Sequence, residues 1–364
     1  MATGGVKQAF GGIDILRFLA AVSVALYHYC FWIWAFPSGL SGRAAEVPPQ
    51  EVLGSFFTWG WIGVQIFFVI SGFVIAFSAE GSTPARFAMA RFKRLVPAVL
   101  ICAPITAVVL LAVNVFSPEN AAILTLRTLA FVPIGPWVDS VYWTLGIEIC
   151  FYLVIWGLLL LGKPRWIEAA AICIGLMSTL FWLVFFPLEL ERFAKTRILD
   201  LVLVHHGCFF AIGVLLWAIR TKGFTVRRGF FAVLFNFGGI LQIINSSDVM
   251  HGKVGVDVSL AAPIVAYVIA MVLVTISLWR ELSWPGWRKI GLTTYPLYLI
   301  HNAVGGAVIG VLYALGIPFL ACAILTLLLA IIFSGFVALR LEPLIRAAFD
   351  LIPGRLRRLR ASSA

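Results

Sequence analysis

The residues best equipped for chemistry lie in apolar surroundings, where an ionisable group has to be justified by what it does. The first long apolar stretch, IDILRFLAAVSVALYHYCFW, contains Arg17 and His28. They are eleven positions apart. At about 100° and 1.5 Å per helical residue they share one face, about 16 Å apart along the axis. That spacing predicts a polar seam through much of a membrane-spanning helix. The competing account is a snorkelling arginine plus an interfacial histidine. A later stretch, VYWTLGIEICFYLVIW, holds Glu148 as its sole carboxylate. Counting from the outer helix ends puts Glu148 about 10 Å deep and His28 about 12 Å deep. The matching depths predict that His28 and Glu148 meet, with the imidazole as base and the carboxylate as its orienter. A structural ion pair between Glu148 and an arginine is the alternative.

Three other groupings carry chemical potential. In RFKRLVP, Arg91 and Arg94 stand three residues apart on one helix face, an arrangement suited to clamping phosphate, although simple enrichment of charge on the cytoplasmic side also accounts for it. In WIGVQIFFVISGFVIAFS, Ser71 and Gly72 interrupt an apolar run and permit either close helix packing or a narrow cavity. In IGLTTYPLYLIHNAVGG, Tyr298 and His301 share a face, and Pro296 frees a backbone carbonyl. A satisfied core histidine is the plain alternative for His301. His205 and His206, close after Asp200, would point about 100° apart on a helix, so one of them at most is expected to contact substrate. The segment around Arg127 and Trp137 is a possible sugar contact. Spacings such as HExxH or paired CxxC are missing, so no metal is implied.

The elements that must position these residues follow from composition. Of the 364 residues 62% are hydrophobic and 12% charged, and the mean hydropathy is +1.03. Soluble domains carry about a quarter charged residues, so an all-α integral membrane protein is expected. Apolar runs long enough to cross about 30 Å of hydrocarbon lie near residues 13–36, 56–78, 95–116, 141–161, 167–187, 201–219, 229–245, 257–279, 290–313 and 318–339. This predicts about ten transmembrane helices, with Ala121 to Val132 as a short re-entrant or interfacial piece. Lys and Arg concentrate in alternate connections, including Arg86 to Arg94, Arg220 to Arg228, Arg280 to Lys289 and the tail after Arg340. By the positive-inside rule both termini are cytoplasmic. The net charge of +11 then reflects topology and anionic lipid headgroups and gives no support for nucleic acid as a partner. The organisation expected is a cytoplasmic segment 1–12, a membrane domain 13–339 and a basic cytoplasmic tail 340–364. The N-terminus lacks the features of a cleavable signal, so the first helix should be retained. The six cysteines are read as small buried hydrophobes.

Taken in order, IDILRFLAAVSVALYHY, FFVISGFVIAFS, RFKRLVP, VYWTLGIEICFYLVI and TTYPLYLIH resemble the membrane acyltransferase family 3, whose members O-acetylate bacterial surface polysaccharides and related glycans. The resemblance spans residues 13–301 and is to the stand-alone form without an appended extracytoplasmic domain. It implies ten core helices, residence in the inner membrane as a multi-pass protein, acyl-CoA (acetyl-CoA) as co-substrate with no permanently bound cofactor, and a glycan acceptor. It further implies that Arg17 and His28 form the functional pair, that Arg91 and Arg94 bind the donor, and that Glu148 is the acidic position of its motif. Ser71, Trp143, Tyr298 and His301 are read as substrate contacts. His28 would act either as base or as nucleophile. A secondary transporter or flippase of a glycan precursor is the second reading, since it too buries Arg, Glu and His. A haem protein is disfavoured because His28 and His301 count to different depths.

Overall fold

The computed structural model describes residues 11–185, 188, 196–256, 258–280 and 285–351. Among them there is no strand; the fold is helical throughout. The main helices are α1 (Gly11–Ala35), α2 (Glu51–Ala79), α3 (Pro84–Ala112), α4 (Pro118–Leu129), α5 (Ser140–Leu160), α6 (Pro164–Val184), α7 (Gly207–Lys222), α8 (Val226–Val254), α9 (Ala261–Trp279), α10 (Trp287–Ile300), α11 (Ala303–Ala314) and α12 (Phe319–Leu351). Eight of these are individually long and apolar enough to cross a bilayer, and α10 with α11 forms a ninth span bent by 75°. The expected span 201–219, sixth in order, corresponds to α7, whose 16 residues cover only about 24 Å. Helix α4 is the short piece foreseen between the third and fourth spans. Helix α3 begins 11 residues before the expected 95, because Thr83 caps its first turn and Pro84 is tolerated there. Arg91 and Arg94 therefore lie about two to three turns inside the helix. The basic tail from residue 352 onward lies outside the described residues.

Helix α7 is short because it is a core element. It is buried from Gly207 to Ala218 and packs against α2, α6 and α8. Its crossing with α2 is made by reciprocal small residues: a Cβ on Gly213 would overlap the Val69 carbonyl, and one on Gly72 the Phe210 carbonyl. Close backbone approach of this kind is a common means of joining helices where lipid supplies no hydrophobic drive. The peripheral helices show the reverse pattern. Val265, Ile269, Val272 and Ile276 on α9, and Leu325, Leu328 and Ile332 on α12, are exposed and form an apolar belt suited to acyl chains. The cysteines are free, and Cys173 is exposed on that periphery rather than buried as expected.

Two irregularities place chemistry. Residues His28–Trp32 of α1 form a π turn, a local widening that is frequent at functional sites. The second is the break between α10 and α11, at His301 and Asn302. Asp139, fully buried just before α5, holds that break: it accepts hydrogen bonds from Asn302 Nδ2 (2.6 Å) and from the Ala303 backbone N–H (2.8 Å) at the start of α11. Helix N-termini leave backbone donors unpaired, and a carboxylate answers both their hydrogen bonds and their dipole.

Candidate functional site

A cavity of about 370 Å³ opens among α1, α2, α3, α5 and α10. Arg17, Arg91, Lys93, Arg94, Arg288 and Arg346 line it, against the carboxylates Asp14 and Glu148. The cations come from the starts of α1, α3 and α10 and from the end of α12, so they share one side of the bundle. Two of them are partly engaged: Lys93 pairs with Asp350, and Arg346 pairs with Glu342 and donates to the Lys93 carbonyl (3.1 Å). Arg91 instead lies 5.5 Å from the ring centres of both Phe87 and Tyr152, and Arg94 lies 5.3 Å from that of Tyr295. Such stacking fixes a guanidinium while leaving its donors for a planar or tetrahedral anion. Glu148 accepts from Ser71 Oγ (2.9 Å) and Tyr152 Oη (2.7 Å) and interacts electrostatically with Arg17. The far end of the cavity is lined by Phe67, Phe68, Thr144 and Tyr298.

His28 does not meet Glu148. No hydrogen bond joins them among the described residues, and His28 is not in the lining of that cavity. Its partner is His301, whose Nε2 lies 3.2 Å from His28 Nδ1. The depth count failed here for two reasons: depth does not say which helices are neighbours, and the 75° bend immediately after α10 carries His301 inward against α1. The same contact overturns the expectation of different depths for the two histidines. Among the described residues no group of three or more His, Cys, Asp or Glu side chains is placed to hold a metal ion.

The hydrogen bonds fix the tautomers. His301 Nδ1 is 2.8 Å from the Tyr298 carbonyl, which can only accept, so Nδ1 carries the hydrogen and Nε2 has a free lone pair. His28 Nδ1 is 2.9 Å from the Val24 carbonyl, so it too carries a hydrogen and shares it with His301 Nε2. His28 Nε2 is therefore left as an unprotonated base. Tyr298, from the floor of the basic cavity, touches the His301 ring with centroids 5.5 Å apart.

A second cavity, of about 330 Å³, lies beyond this pair. Tyr27, Trp143, His205, His206, Gln242 and Asn245 are among the residues around it. The Tyr27 ring is 5.0 Å from that of His28, so the histidine pair stands in the partition between the two cavities. His205 and His206 both turn to Asp200, with His205 Nδ1 at 2.6 Å and His206 Nε2 at 3.7 Å. The expectation that adjacent histidines diverge assumed a helix, whereas residues 202–206 form a turn in which Leu203 has a φ of 65°. Burial opposes ionisation of Asp200, but the His205 hydrogen bond together with neighbouring His206 and Arg197 outweighs it and holds the carboxyl below its ordinary value. Arg127 donates to the Ile134 and Pro136 carbonyls and latches its own loop, and Trp137 is buried.

The family described as acyltransferase domain matches residues 10–338, nearly the whole chain. The chain belongs to the acyltransferase 3 family. A peptidoglycan O-acetyltransferase of Listeria monocytogenes is 29% identical over 268 residues, a match covering 64% of this chain and 38% of that protein. The match thus spans well under half the length of this relative. No solved structure matches it.

The arrangement comprises a cation-lined chamber, a histidine nitrogen with a free lone pair and a separate chamber beyond it. Arg17, Arg91, Arg94, Ser71, Glu148 and Tyr298 fall together in the first chamber, Trp143 in the second, and His28 with His301 between them. Asp139 and Asn302 were missed by the sequence reading. Their signal is available in retrospect, since each belongs to a polar pair at the border of an apolar run, Asp139 with Ser140 and Asn302 with His301.

Proposed function

We propose that this protein transfers an acyl group, acetyl in the simplest case, from cytoplasmic acyl-CoA to a hydroxyl of an exported or lipid-linked glycan at the opposite face of the inner membrane. The observation that carries the reading is the His28–His301 pair in the wall between a basic cavity and an outer one. The phosphates of the donor would lie against Arg17, Arg91 and Arg94, with the thioester directed past Ser71 and Tyr298. Glu148 balances Arg17 and is not the base. His28 Nε2 takes the proton from the acceptor hydroxyl as its oxygen attacks the thioester carbonyl. The C–S bond breaks, and the departing thiolate recovers the proton from His28, so atoms and charge balance. His301 Nε2 accepts from His28 Nδ1 throughout and stabilises the transient imidazolium.

Both termini would be cytoplasmic, which places the cationic mouth of the first cavity on the side where acyl-CoA is made. A transporter would also use a broken span such as α10 and α11, but family membership and the base-like tautomer of His28 favour catalysis. The test is transfer of radiolabelled acetyl from acetyl-CoA to cell-envelope glycan in membranes carrying the protein. Incorporation above that of membranes without it is expected. Uptake of glycan precursor into vesicles lacking acetyl-CoA would contradict the proposal.

A further inference from the structure

Three arginines do not neutralise a donor that carries three phosphates. Arg17, Arg91 and Arg94 share the inner cavity with Glu148 and Asp14, and each carboxylate acts electrostatically on Arg17. The trio therefore leaves an excess of one positive charge over those two acids. A phosphate monoester carries about −1.5 to −2 at neutral pH, and the two bridged phosphates of an acyl-CoA add about −1 each, so the donor brings about four negative charges. Most of that charge has to be met by other groups.

The other cations of the cavity are Lys93, Arg288 and Arg346. Arg288 and Arg346 come from the first turn of α10 and the last described turns of α12, and the Lys93 carbonyl accepts from Arg346 Nε (3.1 Å). We propose that these three form a second anion subsite, at the mouth of the inner cavity, that takes a terminal phosphate monoester, the 3′-phosphate of acyl-CoA. This rests on the acyl-transfer reading and names the residues that would select its donor. Arg288 is exposed and makes no hydrogen bond or ion pair with another described residue. Arg346 is anchored without being used up: Nη2 donates to Glu342 and Nε to the Lys93 carbonyl, which leaves three of the five guanidinium donors. Glu342 is buried directly after the π turn Val337–Leu341, so the anchor itself is fixed. Lys93 is held by Asp350, whose side chain is exposed. A surface pair of this kind contributes little, so an arriving phosphate can displace Asp350 into water at small cost. Glu342, Arg346 and Asp350 all lie beyond residue 338, where the family match ends, so the end of α12 adds this subsite to a cavity the matched region shapes.

The test titrates acetyl-CoA and 3′-dephospho-acetyl-CoA into the full chain in nanodiscs of phosphatidylcholine, whose headgroup offers no phosphate monoester. Wild type is expected to bind acetyl-CoA about tenfold or more tightly than the analogue. Arg288→Ala and Arg346→Ala should each weaken acetyl-CoA severalfold and leave the analogue unchanged, which narrows that preference. Asp350→Asn should do the opposite and tighten acetyl-CoA severalfold without altering the analogue, because Lys93 is then released. A selective gain does not arise from misfolding, so Asp350→Asn decides if Arg346→Ala does not fold. Equal wild-type affinities for the two compounds would overturn the subsite alone, and a lipid phosphate as its natural occupant would show in that way. A preference that Arg288→Ala, Arg346→Ala and Asp350→Asn all leave intact would overturn it too. Binding of neither compound would end the acyl-CoA reading as well.

Discussion

A histidine with only a carboxylate for a partner and a histidine with another histidine for a partner make different predictions under mutation. His301 offers His28 a neutral acceptor at 3.2 Å, so under the proposed mechanism it would orient the ring and stabilise the imidazolium without burying a fixed negative charge. His301→Ala is therefore expected to lower the transfer rate by about 10²-fold at unchanged acetyl-CoA affinity, measured as initial rates of labelled acetate incorporation. Glu148→Gln should act mainly on the donor. It keeps an acceptor for Ser71 and Tyr152 but removes the charge facing Arg17, so a change in the KM for acetyl-CoA larger than the change in kcat is expected from steady-state kinetics. At Asp200, folding lowers the pKa, so the stability this group confers is present above its ordinary value of about 3.9 and is lost as pH falls through the folded value. The difference in melting temperature between wild type and Asp200→Asn, read by thermal denaturation in detergent, should be largest near neutral pH and shrink below about pH 4. The types of the reactive residues were legible in the sequence, because a charge in an apolar run cannot hide. Their partners were not: Arg17, Arg91, Arg94, Glu148, Ser71 and Tyr298 share one cavity for reasons of helix adjacency, and periodicity along one helix says nothing about its neighbours.

Helix boundaries were readable wherever hydropathy changed and were misjudged wherever a cap or a core contact governed them. Thr83 starts α3 well before its apolar run begins, and α7 ends its usefulness as a span at 16 residues because it is packed on all sides by protein. The crossing of α2 with α7 gives a sharp test, since neither Gly72 nor Gly213 has room for a Cβ against the facing backbone. Gly213→Leu is expected to cost about 1–3 kcal/mol or more and to lower the yield of monodisperse protein on size-exclusion chromatography, whereas Gly81→Ala, at a position with φ 64° and open space around it, should cost only the backbone strain. The α10–α11 break belongs to the same scale. Pro296 was the visible signal, yet the chain breaks five residues later, where Asp139 supplies acceptors to Asn302 and Ala303. Asp139→Ala should leave the Ala303 N–H at the α11 terminus unsatisfied and Asn302 Nδ2 with only Ser140 Oγ, at a cost of about 1–3 kcal/mol, seen as a lower melting temperature, and should reduce transfer by displacing His301.

At the scale of the whole molecule the fold is a bundle with two chambers and the His28–His301 pair in the partition between them. The positive-inside pattern and the row of apolar runs made the bundle readable from composition alone, but chambers arise from helices that fail to fill the space between them, and no local pattern reports that. Arg91→Ala combined with Arg94→Ala is expected to weaken acetyl-CoA binding by about 10²- to 10⁴-fold by isothermal titration, since hydrogen bonds to charged groups contribute about 1.5–3 kcal/mol each. Acceptor-side variants such as Asn245→Ala should leave that affinity alone, so the two chambers are expected to separate functionally as they do in space. The most direct test of a base held in the partition is the rate of acetyl transfer by His28→Ala, measured beside its acetyl-CoA affinity in one preparation. The expected result is a fall of about 10²- to 10⁴-fold in rate with donor affinity preserved. A His28→Ala protein that transfers acetyl at the wild-type rate would contradict the account.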